Sequence, residues 1–219
     1  MAPLSQLQEY PRLSVRIENL DHKGVDVFFN AVGANPYRLL IRSIDSVIQN
    51  LYGSHSAPPN NVSSILLCLR PMEGVACTSW SGGFKEICFS LDYITSIPPD
   101  LVAPEIEGVL VHEFVHCFQY NACGTCPGGL IEGIADFVRL RANLAPPHWS
   151  MNRSGDWDAG YERTGYFLEW IERQRTEFNG EGFVEKFNLA LKDNTYNATV
   201  FEQLTGMSVL ELWKRYCEE

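Results

Sequence analysis

The spacing of apolar and polar residues changes character along the chain. Near the start it has the period of strands. "LSVRIEN" and "VDVFFNAV" predict two strands joined by "LDHKG", with Gly24 at the turn. "NPYRLLIRSIDSVIQNLYG" then predicts a helix. Asn35 is placed to cap it, Pro36 suits its first position, and Gly53 ends it. Its apolar residues Leu40, Ile44, Val47 and Ile48 fall on one face. "PPNNV" reads as a loop and "SSILLCLRP" as an apolar strand. "GVACTSW", the turn "SGG" and "KEICFSLDYI" predict a hairpin, stopped by Pro98 and Pro99. Beyond that the period is helical. Helices are expected over 104–121, 129–143, 158–176, 181–193 and 208–217, with the clusters "CGTCPGG" and "LAPPHW" between them. The pattern predicts an α+β fold: an N-terminal mixed sheet with one helix, followed by a helical C-terminal half. The 219 residues read as a single domain, sheet-rich over 1–103 and helical over 104–219.

Composition narrows the partners rather than the fold. With 45% hydrophobic and 20% charged residues, the chain has the make-up of a globular protein. A net charge of -10 and a pI near 5.0 disfavour nucleic-acid backbones and anionic membranes, and no basic run offsets this. No apolar run approaches the roughly 18 residues that a bilayer span needs. The opening "MAPLSQLQEYPRLSVRIENL" lacks a basic segment followed by an apolar one, so the sequence favours the cytoplasm, with secretion as the alternative. Asn61, Asn152 and Asn197 head N-x-S/T sequons that matter only on the secretory route. The cysteines number 7, which leaves at least one thiol unpaired within the chain. Cys77 and Cys88 flank the hairpin turn and can pair in an oxidising compartment. Cys123 and Cys126 lie in a loop between two helices, where a stiffening or neutral role suits them.

The candidate chemistry lies in "GVLVHEFVHCFQY". Residues four apart on a helix stand one above the other, so His112 and His116 can present two imidazole nitrogens to one metal ion. Glu113 lies about 100° further round, where it can hold water as a general base. Val109, Leu110, Val111, Phe114, Val115 and Phe118 surround these polar residues. A helix this apolar is buried on most sides, and buried histidines need partners that a metal supplies. Cys117 points away from His116 and reads as core.

A hydrolytic zinc site takes three protein ligands and keeps one position open. "GGLIEGIADFVRL" offers Glu132 and Asp136, again four apart on one helical face. Glu132 is read as the third ligand. Asp136 then accepts the free N–H of a ligating histidine and fixes its tautomer, although the swapped assignment stays open. Gly133 between them weakens a helix unless something approaches closely there.

The blocks "VLVHEFVHCFQYN", "PGGLIEGIADFVRLRANLAPPHW", "GDWDAGYERTGYFLEW" and "FEQLTGMSVLELWKRY" resemble, in that order, the plant basic secretory protein family. The resemblance is clearest from about 86 to 216. It implies a gluzincin-like zinc metallopeptidase with one Zn2+ ion held by His112, His116 and Glu132, and with Glu113 as base. Plant members are typically basic and secreted, whereas this chain is acidic. The implied reaction is hydrolysis of a peptide or protein substrate, with Glu113 moving the proton from water to the leaving amine. Tyr161 is the candidate oxyanion donor, with His148 as the other possibility. The substrate is expected to add as a strand along a sheet edge, for which "EICFSLDYI" (86–94) is the candidate. The alternative function is a non-catalytic binding protein that keeps a zincin-like fold. Intact Glu113 argues against it, since a closed structural metal site needs no base.

Overall fold

Gly82 and Gly83 make the tightest reversal in the N-terminal half. They form a two-residue loop between Ser81 and Phe84, which pair across it, and Gly82 takes a φ of 58°, open to glycine at little steric cost. The hairpin so formed is β3 (Ala76–Ser81) and β4 (Phe84–Ser90), paired antiparallel. β2 (Ser64–Arg70) runs parallel to β4, and β1 (Arg12–Ile17) parallel to β2. The mixed sheet therefore has the order β1-β2-β4-β3. The structure is a computed structural model that describes residues 10–53, 57–59, 61–174 and 180–219. The first 9 residues of the N-terminal stretch, and the predicted helical residues 175 and 176, lie outside these.

The architecture is α+β, with this four-stranded sheet in the N-terminal half, nine helices among the described residues, and a helical C-terminal half. Two compact units can be distinguished. One comprises the described residues up to Ile48 together with Ala57–Phe118; the other comprises the described residues of Gln49–Ser56 and Gln119–Glu219.

In the first unit, one sheet face carries Ile65, Leu67, Leu69, Ile87 and Phe89, all essentially inaccessible to water. This face also bears Thr78 of β3 and lies towards α4 (Val102–Phe118). α2 (Tyr37–Tyr52) starts as the sequence predicts: the Asn35 side chain accepts from Tyr37 N at 3.0 Å, and Gly53 ends the helix at φ 51°.

Three expectations fail here. "VDVFFNAV" is not a strand but most of α1 (Lys23–Val32). His22 caps it through Nδ1, which accepts from Gly24 N at 3.0 Å, and Val25 and Phe28 are buried at helical spacing. Gly24 is no turn residue: a Cβ there would lie 2.5 Å from Leu91 O. The hairpin's second strand ends at Ser90. The hydroxyl of Ser90 accepts from Tyr93 N and starts α3 (Leu91–Ser96). Finally, β4 is paired on both sides, so the candidate substrate edge at 86–94 is interior; β1 and β3 are the edges of this sheet.

In the second unit, α5 (Gly128–Arg141) and α6 (Tyr161–Arg173) pack closely. α7 (Phe183–Ala190), α8 (Thr199–Thr205) and α9 (Val209–Glu218) follow, and α8 is an addition to the predicted set. Phe183, Phe187 and Phe201 form one aromatic cluster; Phe167, Trp170, Trp213 and Tyr216 form another. The Glu172 carboxylate accepts from Gly182 N and Val184 N at the start of α7, an anion where the helix dipole favours one. Burial nevertheless raises its pKa.

Candidate metal centre

α4 is apolar on nearly every side, so its few polar groups must find partners within the protein. His112 and His116 do so with each other. Their Nε2 atoms lie 3.2 Å apart, with the rings crossed at 85°. Two nitrogens each about 2.0–2.1 Å from a tetrahedral zinc stand roughly 3.3 Å apart, so the pair already has the bite of a zinc chelate. Both imidazoles are half-buried.

Glu113, one residue on, is 5% exposed. Thr78 Oγ1 donates to its Oε2 at 2.6 Å and also lies 3.3 Å from its backbone oxygen. The carboxylate is thus held in place by a hydroxyl of the edge strand. Cys117 is buried, as its helical offset predicts, and burial holds its thiol far above the usual range.

α5 begins after Pro127 and presents Glu132 half-buried and Asp136 buried at 3% exposure. Gly133 is explained by its neighbour. A Cβ there would fall 2.2 Å from Thr164 Cγ2, so the glycine lets α6 lie against α5. Thr164 is itself fixed, donating to Trp157 O and accepting from Gly160 N. Gly165 contributes from the other side, with a Cβ position 3.1 Å from Phe137 N.

His112 and His116 stand on α4 in the first unit, and Glu132 stands on α5 in the second. Two imidazole nitrogens and a carboxylate oxygen make a donor set suited to zinc and to other divalent metals.

Tyr161 opens α6 with a φ of 49°, in the left-handed region, and is 56% exposed. Its predecessor Gly160 packs on α5: a Cβ on Gly160 would come 3.8 Å from Glu132 Cβ. The left-handed tyrosine therefore follows directly on a glycine that lies against Gly129 and near the Glu132 stem. His148 is exposed on the turn after Pro146 and Pro147. The sequence reading missed Thr78. The only sequence signal for it is a small hydroxyl at an inward position of β3, between Ala76 and Trp80.

The loop between α4 and α5 holds Cys123 at φ 55° and exposed, while Cys126 is half-buried with its thiol pushed up to about 12. All seven cysteines are free thiols.

The chain is thus an α+β protein whose buried helix α4 carries the H-E-x-x-H pattern. The chain belongs to the family described as peptidase of plants and bacteria (BSP), whose model matches residues 10–216. The family is one of peptidases, so the substrate class is peptide or protein. No curated protein and no solved structure matches the chain. No helix among the described residues is long and apolar enough to cross a membrane.

Proposed function

We propose that this chain is a zinc-dependent peptidase, with His112, His116 and Glu132 as metal ligands and Glu113 as general base. The observation that carries the proposal is the pair of imidazole Nε2 atoms 3.2 Å apart on α4, beside the buried Glu113 carboxylate. When bound, zinc supplies a Lewis acid that polarises the scissile carbonyl and acidifies water. The histidines bind through Nε2, the nitrogens that already face each other. Asp136 orients a ligand from its buried position on α5.

Glu113 takes the proton of the attacking water on one carboxylate oxygen and delivers it to the leaving amine. Thr78 holds the other oxygen, so the carboxylate does not rotate away from its task. The Tyr161 hydroxyl donates to the oxyanion that develops on the carbonyl. Its left-handed backbone is the kind of strain that collects at working sites. The substrate lies extended along β3, the edge strand that carries Thr78, in place of the interior strand β4.

The test is metal content by mass spectrometry, measured on the wild type and on His116→Ala together. About one zinc per wild-type chain, lost in the variant, is the expected result. A well-folded wild type that stays empty after zinc is added would falsify the reading.

A further inference from the structure

The other face of the sheet carries a different chemistry. Arg16 of β1 pairs with Cys68 of β2, Cys68 with Cys88 of β4, and Cys88 with Cys77 of β3. Residues directly opposite in a sheet share a face, so these four side chains form one row across all four strands. The row runs from exposed Cys77 through half-buried Cys88 to buried Cys68. The alternate residues Leu67 and Ile87 fill the core on the opposite face, and of the three cysteines only Cys68 is fully buried.

We propose that Cys77 and Cys88 are a dithiol–disulfide site on this outward face, with Cys68 as a third thiol that can exchange into it. The geometry supports closure. Cβ atoms directly opposite in an antiparallel pair lie about 4.5–5.5 Å apart, and a disulfide needs about 3.5–4.5 Å, so side-chain rotation and a small strand approach suffice. The Sγ atoms of Cys68 and Cys88 already lie within 4.8 Å of each other and of a Glu86 carboxylate oxygen.

These three groups also have the make-up of a metal site, but the cation's place is taken. Arg16 Nη2 sits 2.6 Å from Glu86 Oε1 and 3.4 Å from Cys68 Sγ. A guanidinium there neutralises Glu86 and steadies a thiolate on Cys68, which serves exchange and disfavours a second cation. The positive charge of Arg70 acts on Cys88 in the same downward direction. Burial is the larger influence and raises the pKa of both inner thiols, so exchange accelerates as the pH rises.

The oxidant class is a small disulfide, RSSR. The Cys77 thiolate attacks one sulfur of RSSR, breaking its S–S bond and releasing one thiolate. The Cys88 thiolate then attacks Cys77 Sγ, forming the Cys77–Cys88 bond and expelling the second thiolate. Two protein thiols are oxidised, one RSSR is reduced to two RSH, and the two thiol protons end on the released RSH. Attack by Cys68 on Cys88 Sγ moves the bond inward and frees Cys77, with no net redox change. None of this depends on the peptidase reading.

The experiment treats the reduced full chain with glutathione disulfide in mildly alkaline buffer, quenches with N-ethylmaleimide and maps the peptides without reduction. The expected result is loss of alkylation at both Cys77 and Cys88 and a peptide linking them, with a smaller Cys68–Cys88 fraction. Cys88→Ser should trap glutathione on Cys77, and Cys77→Ser should leave only the Cys68–Cys88 link. A wild type that keeps glutathione on Cys77 while Cys88 remains alkylatable overturns the proposal. So does a set of thiols that reacts only after a chelator is added, since that outcome means a metal holds the row.

Discussion

Helices α4 and α5 each carry polar residues among apolar ones, and they differ in what surrounds those residues. On α4 the neighbours of His112, Glu113 and His116 are bulky: Val111, Phe114, Val115 and Phe118 are all buried. The histidines meet each other at 3.2 Å within one helical turn, so their pairing is built from five consecutive residues. On α5 the residue between Glu132 and Asp136 is a glycine whose missing side chain admits Thr164 of α6. The geometry of α4 is dictated by its own period; that of α5 depends on a second helix lying against it. Substitutions on α4 should therefore act on chemistry, and substitutions on α5 at Gly133 on packing.

The largest expected effect is at Glu113. Glu113→Gln keeps shape and the Thr78 contact but cannot take a proton, so kcat/KM should fall by about 10²–10⁴-fold while zinc content stays at the wild-type level. Retained activity in this variant would mean that Glu113 is not the base; a wild type that binds zinc but hydrolyses no peptide would move the protein to the binding-protein reading. Gly133→Ala should do the reverse. Its methyl meets Thr164, which is pinned by two hydrogen bonds and yields only by shifting α6. A cost of about 1–3 kcal/mol is expected. Thermal unfolding should show it as a lower Tm, at about 2–4 °C per kcal/mol for a chain of this size. An unchanged Tm would mean that α6 is not held against α5 as tightly as Thr164 indicates.

The same contrast decides what could be read in advance. The hairpin, α2 with its Asn35 cap, and the histidines of α4 follow from local rules of turn, cap and period, and each stands where those rules put it. α1 does not. Its run of valines and phenylalanines fits a strand or a short helix equally well, and the choice is made by His22 capping Gly24 and by the approach of Leu91. Ser90 turned an expected strand into the start of α3 for a similar reason: a capping hydroxyl inside an apolar run looks like any other strand serine. Glu132 and Asp136 were legible as a helical pair, yet the reason for Gly133 lay in α6, about thirty residues away in sequence. Strand order is a tertiary fact of the same kind, and it moved the sheet edge from β4 to β3.

Thr78 was invisible to sequence reading because nothing local marks it, and it gives the smallest but most discriminating effect. Its hydroxyl is the hydrogen-bond donor recorded for the Glu113 carboxylate, at 2.6 Å. Removing it with Thr78→Val leaves the volume nearly unchanged and deprives a buried carboxylate oxygen of a partner. A hydrogen bond to a charged group is worth about 1.5–3 kcal/mol, but Glu113 recovers part of that by rotating. An activity loss of about 10-fold is therefore expected, and it should appear in kcat with KM held, because the lost contact orients the base rather than the substrate. Thr78→Ser restores the donor and should recover most of the rate. If the valine variant instead loses Tm without losing kcat, Thr78 is a packing residue of β3 and the base is oriented by something else. If both variants fall equally in kcat, the hydroxyl alone does not suffice, and the threonine methyl that fixes its rotamer is also needed to aim it at Glu113.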